Sequence, residues 1–299
     1  MKRLKMASAV LAAAALLLAA TGCDSGDSET AGDSGQSSSG GKQITIGYIN
    51  WDEDVAVTHL WRKVLQDRGY DVKIQQVGDA GPTYIGLSKG DIDLFFDGWL
   101  PATHATYWKQ YGAQLTDVAT WYDSAPLTIA VPNYVTDVKS LADLKSHASE
   151  FDSTITGIEP GAGETGVVKK MMKAYGLSDW KLQTSSTSGM LSALEKATKA
   201  KKPIVVDLWR PHWAYTAYPI HDLTDPKGAM GKPDGIHAIG TGSFASDFPE
   251  VDAMVKKFHM SDDQLGSLEQ DVLVENKENP DKGVATWLAA NPDFEKSLA

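Results

Sequence analysis

Nine tryptophans against seven phenylalanines is a preference that core packing alone does not predict. Two of the nine end matching segments, Asp93-Leu-Phe-Phe-Asp-Gly-Trp99-Leu-Pro101 and Pro203-Ile-Val-Val-Asp-Leu-Trp209-Arg-Pro211. A third, Trp51, follows the β-rich run Ile44–Ile49. The face of an indole is rich in electrons and attracts a desolvated cation by about 2 kcal/mol per ring. Several such faces around one point suit a quaternary ammonium, which has no N–H to offer a carboxylate or carbonyl. His104, five residues after Trp99, is a further hydrogen-bond donor. The turn Glu159-Pro-Gly-Ala-Gly163-Glu164-Thr165 opens a helical pattern from about Glu164, whose free amides and dipole favour an anion. Asp97 and Asp207, two residues before their tryptophans, are read first as groups that hold the loops. They are also the carboxylates a secreted hydrolase with stacking tryptophans would use.

Other chemistry is thinly represented. A single cysteine excludes an internal disulfide framework and a Cys-rich metal site. No HExxH, GxSxG or phosphate-binding loop occurs, and the seven histidines have no metal-ligand spacing. The expectation is a binding protein without catalysis, cofactor or metal. With 28 basic and 39 acidic residues the net charge is −11, which argues against a nucleic-acid partner, since phosphate binding needs clustered Lys and Arg.

The elements that must position these residues repeat. Gly47 and Gly157 lie 110 residues apart, as do Trp99 and Trp209, and Pro101 and Pro211. After each first strand comes a helical spacing of apolar residues closed by glycine. Val57, Leu60, Trp61, Val64 and Leu65 precede Gly69; Val168, Met171, Met172 and Tyr175 precede Gly176. Second strands (72–77 and 181–185) and short helices lead to the third strands. Strands alternating with helices imply right-handed crossovers and a mainly parallel sheet in each of two α/β lobes. Leu127–Val131 carries the chain out of the first lobe and Ile236–Thr241 brings it back, with a helical tail on the first lobe. The expected division is 44–131 and 236–299 for lobe 1, and 132–235 for lobe 2. Ligands favour the cleft at the carboxyl ends of parallel strands, where Trp51, Trp99 and Trp209 all fall. Trp61, Trp180 and Trp287 are assigned to the core; Trp108, Trp121 and Trp213 go to lobe surface or core. A small zwitterion, with a methylated ammonium at one end and a carboxylate at the other, satisfies both the indoles and the helix start. Glycine betaine is the simplest.

The first 22 residues read as an export signal: Lys2, Arg3 and Lys5 precede the apolar or small stretch Met6–Thr21. The stretch ends at Cys23, and the segment resembles a bacterial lipoprotein signal in which that cysteine is lipidated. Removing it brings the net charge to −14. Residues 23–43, rich in Ser, Gly and Asp, cannot bury enough apolar surface to order themselves and are expected to form a flexible tether. The expected location is extracytoplasmic, lipid-anchored on the outer face of the cell membrane or in the periplasm.

From Ile44 to the C-terminal region the chain resembles the glycine betaine/proline betaine substrate-binding proteins of bacterial ABC importers. The family also includes choline and carnitine binders. Four segments carry the resemblance: Tyr48-Ile-Asn-Trp51-Asp52, Gly98-Trp99-Leu-Pro-Ala-Thr-His104, Gly157-Ile-Glu-Pro-Gly-Ala-Gly163 and Leu208-Trp209-Arg-Pro-His-Trp213. The resemblance implies a two-lobed fold of the periplasmic-binding-protein type II class, in which Trp51, Trp99 and Trp209 box the trimethylammonium. The ligand carboxylate is then met by His104 and by the consecutive backbone amides of Gly163 and Glu164. It also implies a monomer that closes at its hinge, docks on a membrane permease with its ATPase, and serves osmotic protection. Relatives can carry an apolar residue where Glu164 stands, and a carboxylate turned into the cleft there would repel a ligand carboxylate. Proline betaine, choline, carnitine and ectoine remain alternative ligands.

Overall fold

The protein was described from a computed structural model covering residues 42–299. The expected signal, Cys23 and nearly all of the expected tether lie outside the described residues.

The first lobe is built in the predicted order: β1 (Gln43–Tyr48), α1 (Asp52–Gln66), β2 (Asp71–Gln76), α2 (Ala80–Lys89), β3 (Leu94–Leu100), α3 (Ala105–Tyr111) and β4 (Leu115–Ala125). The apolar spacing seen in the sequence is the inner face of α1, where Val57, Leu60, Trp61, Val64 and Leu65 have no exposed surface. Burying each such side chain stabilises the lobe by roughly 1.5–3 kcal/mol. Asp52, Glu53 and Asp54 occupy the first turn of α1, where the helix dipole favours acids. Gly90 ends α2 at φ 76°, a left-handed conformation that glycine adopts without cost. Every residue of β3 is buried, Asp97 included, as its central place in the sheet requires.

The second lobe repeats the scheme with β5 (Leu127–Pro132), β6 (Thr154–Gly157), α4 (Gly163–Ala174), β7 (Lys181–Thr184), α5 (Thr187–Ala200), β8 (Val206–Trp209) and β9 (Ile220–Asp222). The chain then returns through β10 (Asp234–Thr241). The sheets run β2-β1-β3-β10-β4 and β7-β6-β8-β5-β9. In each, three strands are parallel, and the fourth enters antiparallel to the strand that ends in tryptophan. The fold is therefore two mixed sheets flanked by helices, with β5 and β10 in equivalent places. The Leu100–Pro101 and Arg210–Pro211 bonds, 110 residues apart, are both cis.

The boundary between lobes differs from the sequence expectation. Leu127–Val131 belongs to the second sheet, pairing with β8 and β9, and the division falls at Pro126. Proline has no N–H to continue the β4 ladder, and the Pro126 carbonyl instead accepts the Arg210 amide of the second lobe at 3.0 Å. Asp234 and Gly235 likewise belong to the first sheet. The tail forms helices Pro249–Val255, Asp262–Glu269 and Pro280–Ala290, the latter two packed on α1. Trp61, Trp121 and Trp287 are fully buried in this first-lobe core, and Trp180 is buried in the second. Among the described residues no helix is long and apolar enough to cross a membrane.

Candidate functional site

Each chemically notable residue sits where a strand ends. Trp51 follows β1 and precedes the first turn of α1. Trp99 is the penultimate residue of β3, and the short loop after the strand carries His104. That loop is fixed from the return strand: the Asp234 carboxylate accepts the amides of Ala102 and Thr103, both at 2.8 Å, and the Thr103 hydroxyl at 2.5 Å. Across the gap, Trp209 closes β8, and the turn after β6 opens α4 at Gly163. Thr165 Oγ1 donates to the Glu159 carbonyl at 2.8 Å, pinning that turn.

These residues meet at one small cavity between the lobes. Its lining includes Trp51, Trp99, Trp209, His104, Gly163 and Glu164, so all six residues expected at the cleft are brought together. Leu127, Ile158, Ala162 and Thr103 complete the wall, and Glu53 joins it as an acid that sequence reasoning missed. The three indoles are 3–4% exposed. The structure is closed, because hydrogen bonds span the cleft. Trp51 Nε1 donates to Glu159 at 3.1 Å, Trp209 Nε1 donates to Glu53 at 2.8 Å, and the Gly161 amide donates to Asp79 at 2.9 Å. Trp213 Nε1 donates to Asp52 at 2.6 Å, which gives that ring a place beside the cavity and not in it.

The His104 ring is held from behind. Its Nδ1 accepts the Trp99 amide at 3.1 Å, so the neutral ring carries its proton on Nε2. Burial pushes the imidazole down to about 3, keeping it a neutral donor at any physiological pH. At the other end, the helix cap Ala162 has no side chain to satisfy the first amides of α4. These amides, with the dipole, are available to an anion.

Glu164 is the position where a repulsive carboxylate was the concern. Its side chain is 3% exposed, and burial, with Asp207 and Glu53 nearby, pushes its carboxyl well above the ordinary range. A carboxyl raised in this way carries less charge with which to repel a carboxylate ligand. Glu53 is raised in the same way, by burial and by Asp97. Asp97 and Asp207 are fully buried and absent from the cavity wall. Asp97 accepts Trp99 Nε1 at 2.8 Å, and burial pushes Asp207 up to about 8. Neither presents a carboxylate to a bound molecule, as the hydrolase alternative requires.

Residues 42–290 match the family model for the substrate binding domain of the ABC-type glycine betaine transport system. The structure superposes with TM-score 0.80 on lactococcal OpuAC in its closed form complexed with glycine betaine, at 31% identity, covering 86% of this chain and 99% of that one. It superposes equally, at 28% identity, on the glycine betaine/L-proline-binding protein ProX of Borrelia burgdorferi, covering 86% and 97%. In sequence it is 35% identical over 151 residues to the glycine betaine/carnitine transport binding protein GbuC of Listeria monocytogenes, a match that spans half of either chain. The chain belongs to the family of substrate-binding domains of ABC-type glycine betaine transport systems.

Proposed function

We propose that this chain is the extracytoplasmic substrate-binding component of an ABC importer for glycine betaine or proline betaine, and that it is not an enzyme. The observation that carries the reading is the convergence of three indoles from two lobes on one cavity. A neutral histidine donor and an uncapped helix start stand at the same wall. Trp51, Trp99 and Trp209 surround the quaternary ammonium, which their π faces attract without needing a proton from it. The ligand carboxylate lies toward His104 and the amides of Gly163 and Glu164. Closure is a hinge motion at Pro126 and at the chain between β9 and β10. The closed monomer then presents itself to the permease, whose ATPase drives import.

Calorimetric titration of the body with glycine betaine, proline betaine, choline, carnitine and ectoine tests the ligand. The betaines are expected to bind tightest, and preference for ectoine or for choline would overturn the assignment. His104→Ala separates the two ends of the ligand. It should weaken glycine betaine, which has a carboxylate to lose a donor from, by about tenfold more than choline. Equal losses on both ligands would remove the carboxylate role of His104.

In this reading a lipid on Cys23 holds the chain to the membrane. Cys23→Ala should then move the protein from the membrane fraction to the soluble one, because the variant loses the acyl chains that the bilayer buries. Unchanged membrane retention would exclude lipidation at that cysteine.

A further inference from the structure

All three indoles at the cavity donate their ring N–H to a carboxyl group. Trp51 Nε1 meets Glu159 Oε2 at 3.1 Å, Trp99 Nε1 meets Asp97 Oδ1 at 2.8 Å, and Trp209 Nε1 meets Glu53 Oε2 at 2.8 Å. Two core rings are satisfied by neutral groups instead: Trp121 donates to the Phe96 carbonyl and Trp287 to the Ser267 hydroxyl, while the buried Trp61 ring N–H has no partner among the described residues. Trp213, beside the cavity, shares the arrangement through Asp52. Nothing about burial demands a carboxyl acceptor behind an indole, because a carbonyl or hydroxyl satisfies the same N–H.

An anionic acceptor differs from a neutral one in what it does to the ring. A charge-assisted bond is stronger and fixes the ring plane. It also polarises the donor, pushing electron density from the N–H toward the π system. The ring face becomes more negative, and its attraction for a cation rises. Two of the three bonds cross between lobes, Trp51 to Glu159 and Trp209 to Glu53, so they form only when the cleft closes. Glu53 and Asp97 also lie within range of each other, so the acceptors behind Trp99 and Trp209 are adjoining groups. A permanent cation on the far side of both rings favours the ionised form of that pair.

We infer that Glu53, Asp97 and Glu159 are positioning residues that tune the tryptophan cage for cations, each acting through the indole whose N–H it accepts. The inference rests on the proposed quaternary ammonium ligand and adds a source for its selectivity. The cage distinguishes a cation from an uncharged group of the same shape through carboxyl groups bonded to the ring N–H groups.

The test compares glycine betaine with 3,3-dimethylbutyrate, in which an uncharged tert-butyl group replaces trimethylammonium and the carboxylate is retained. Glu53→Gln, Asp97→Asn and Glu159→Gln keep an acceptor oxygen for the indole and remove the group's ability to ionise when the cation binds; Glu159→Gln also gives up the acceptor of the Thr187 amide. In each folded variant, judged by its thermal melt, glycine betaine should bind about tenfold more weakly, with 3,3-dimethylbutyrate changed by less than about threefold. Glu159 is remote from the Glu53–Asp97 pair, so Glu159→Gln repeats the comparison should either of the other variants fail to fold. Parallel loss of both ligands would assign the carboxyls to closure alone and overturn the inference, as would no loss of either. A wild-type protein that binds both ligands equally would instead refute the quaternary ammonium reading itself.

Discussion

Trp99→Ala and Trp209→Ala are each expected to weaken glycine betaine binding by at least about tenfold, measured by titration calorimetry. A desolvated ring face contributes about 2 kcal/mol to a cation, and about 1.4 kcal/mol already corresponds to tenfold in affinity. Truncation also opens a cavity wall that is now 3–4% exposed, letting water reach the cation and weakening what the remaining rings do. Trp209→Ala should have the larger effect. Its indole comes from the second lobe and donates to Glu53 of the first at 2.8 Å, so the variant loses a closing contact together with a cage wall. Trp99 donates within its own lobe, to Asp97, and its loss leaves the cross-cleft bonds in place. Phenylalanine at either position restores apolar filling and a weaker π face, and should recover part of the affinity. Near-wild-type binding by both alanine variants would refute the cage.

The architecture was legible because it is written twice. Gly47 and Gly157, Trp99 and Trp209, and Pro101 and Pro211 share one offset, and each pair falls at equivalent strand positions in the two sheets. The site residues could be named for the same reason: parallel strands deliver the residues at and just beyond their carboxyl ends to the cleft, and Trp51, Trp99 and Trp209 lie there. The placement of Leu127–Pro132 was not legible. Its apolar run is equally suited to either sheet, and only the hydrogen bonds to Leu208 and its neighbours decide between them.

Glu53 was hidden differently. In sequence it is one of three acids in the first turn of α1, a pattern that the helix dipole explains without any ligand. Its partner, Trp209, lies 156 residues away in the other lobe. Glu159 and Trp51 are separated by 108 residues. No local periodicity marks pairs that meet only when two lobes close. The one available signal was position, since Glu53 follows Trp51 by two residues and Glu159 follows the end of β6 by two. Glu164 was visible as a departure, yet what raises its carboxyl is burial and the acids around it, which are properties of the folded cavity.

Gly163→Ala should abolish most of the binding without unfolding either lobe. A β-carbon at this position would lie 2.3 Å from the Thr103 carbonyl oxygen and 2.6 Å from Thr103 Cγ2, across the cleft. The obstructing oxygen belongs to backbone that Asp234 holds by its neighbouring amides and hydroxyl, so it cannot easily retreat. Alanine is a better helix former than glycine, and Gly163 is the first residue of α4, so the second lobe itself gains from the change. The cost falls on closure. Overlap of this kind costs about 1–3 kcal/mol, which reduces apparent affinity roughly ten- to hundredfold if only the closed form holds the ligand. Gly166→Ala, in the same helix, is the control: a β-carbon there meets nothing within 4 Å, and affinity should stay at the wild-type value. The two variants should have similar ligand-free melting temperatures and differ in the stabilisation that glycine betaine adds. Full ligand-induced stabilisation of Gly163→Ala would show that tight binding does not require the lobes to meet at Thr103.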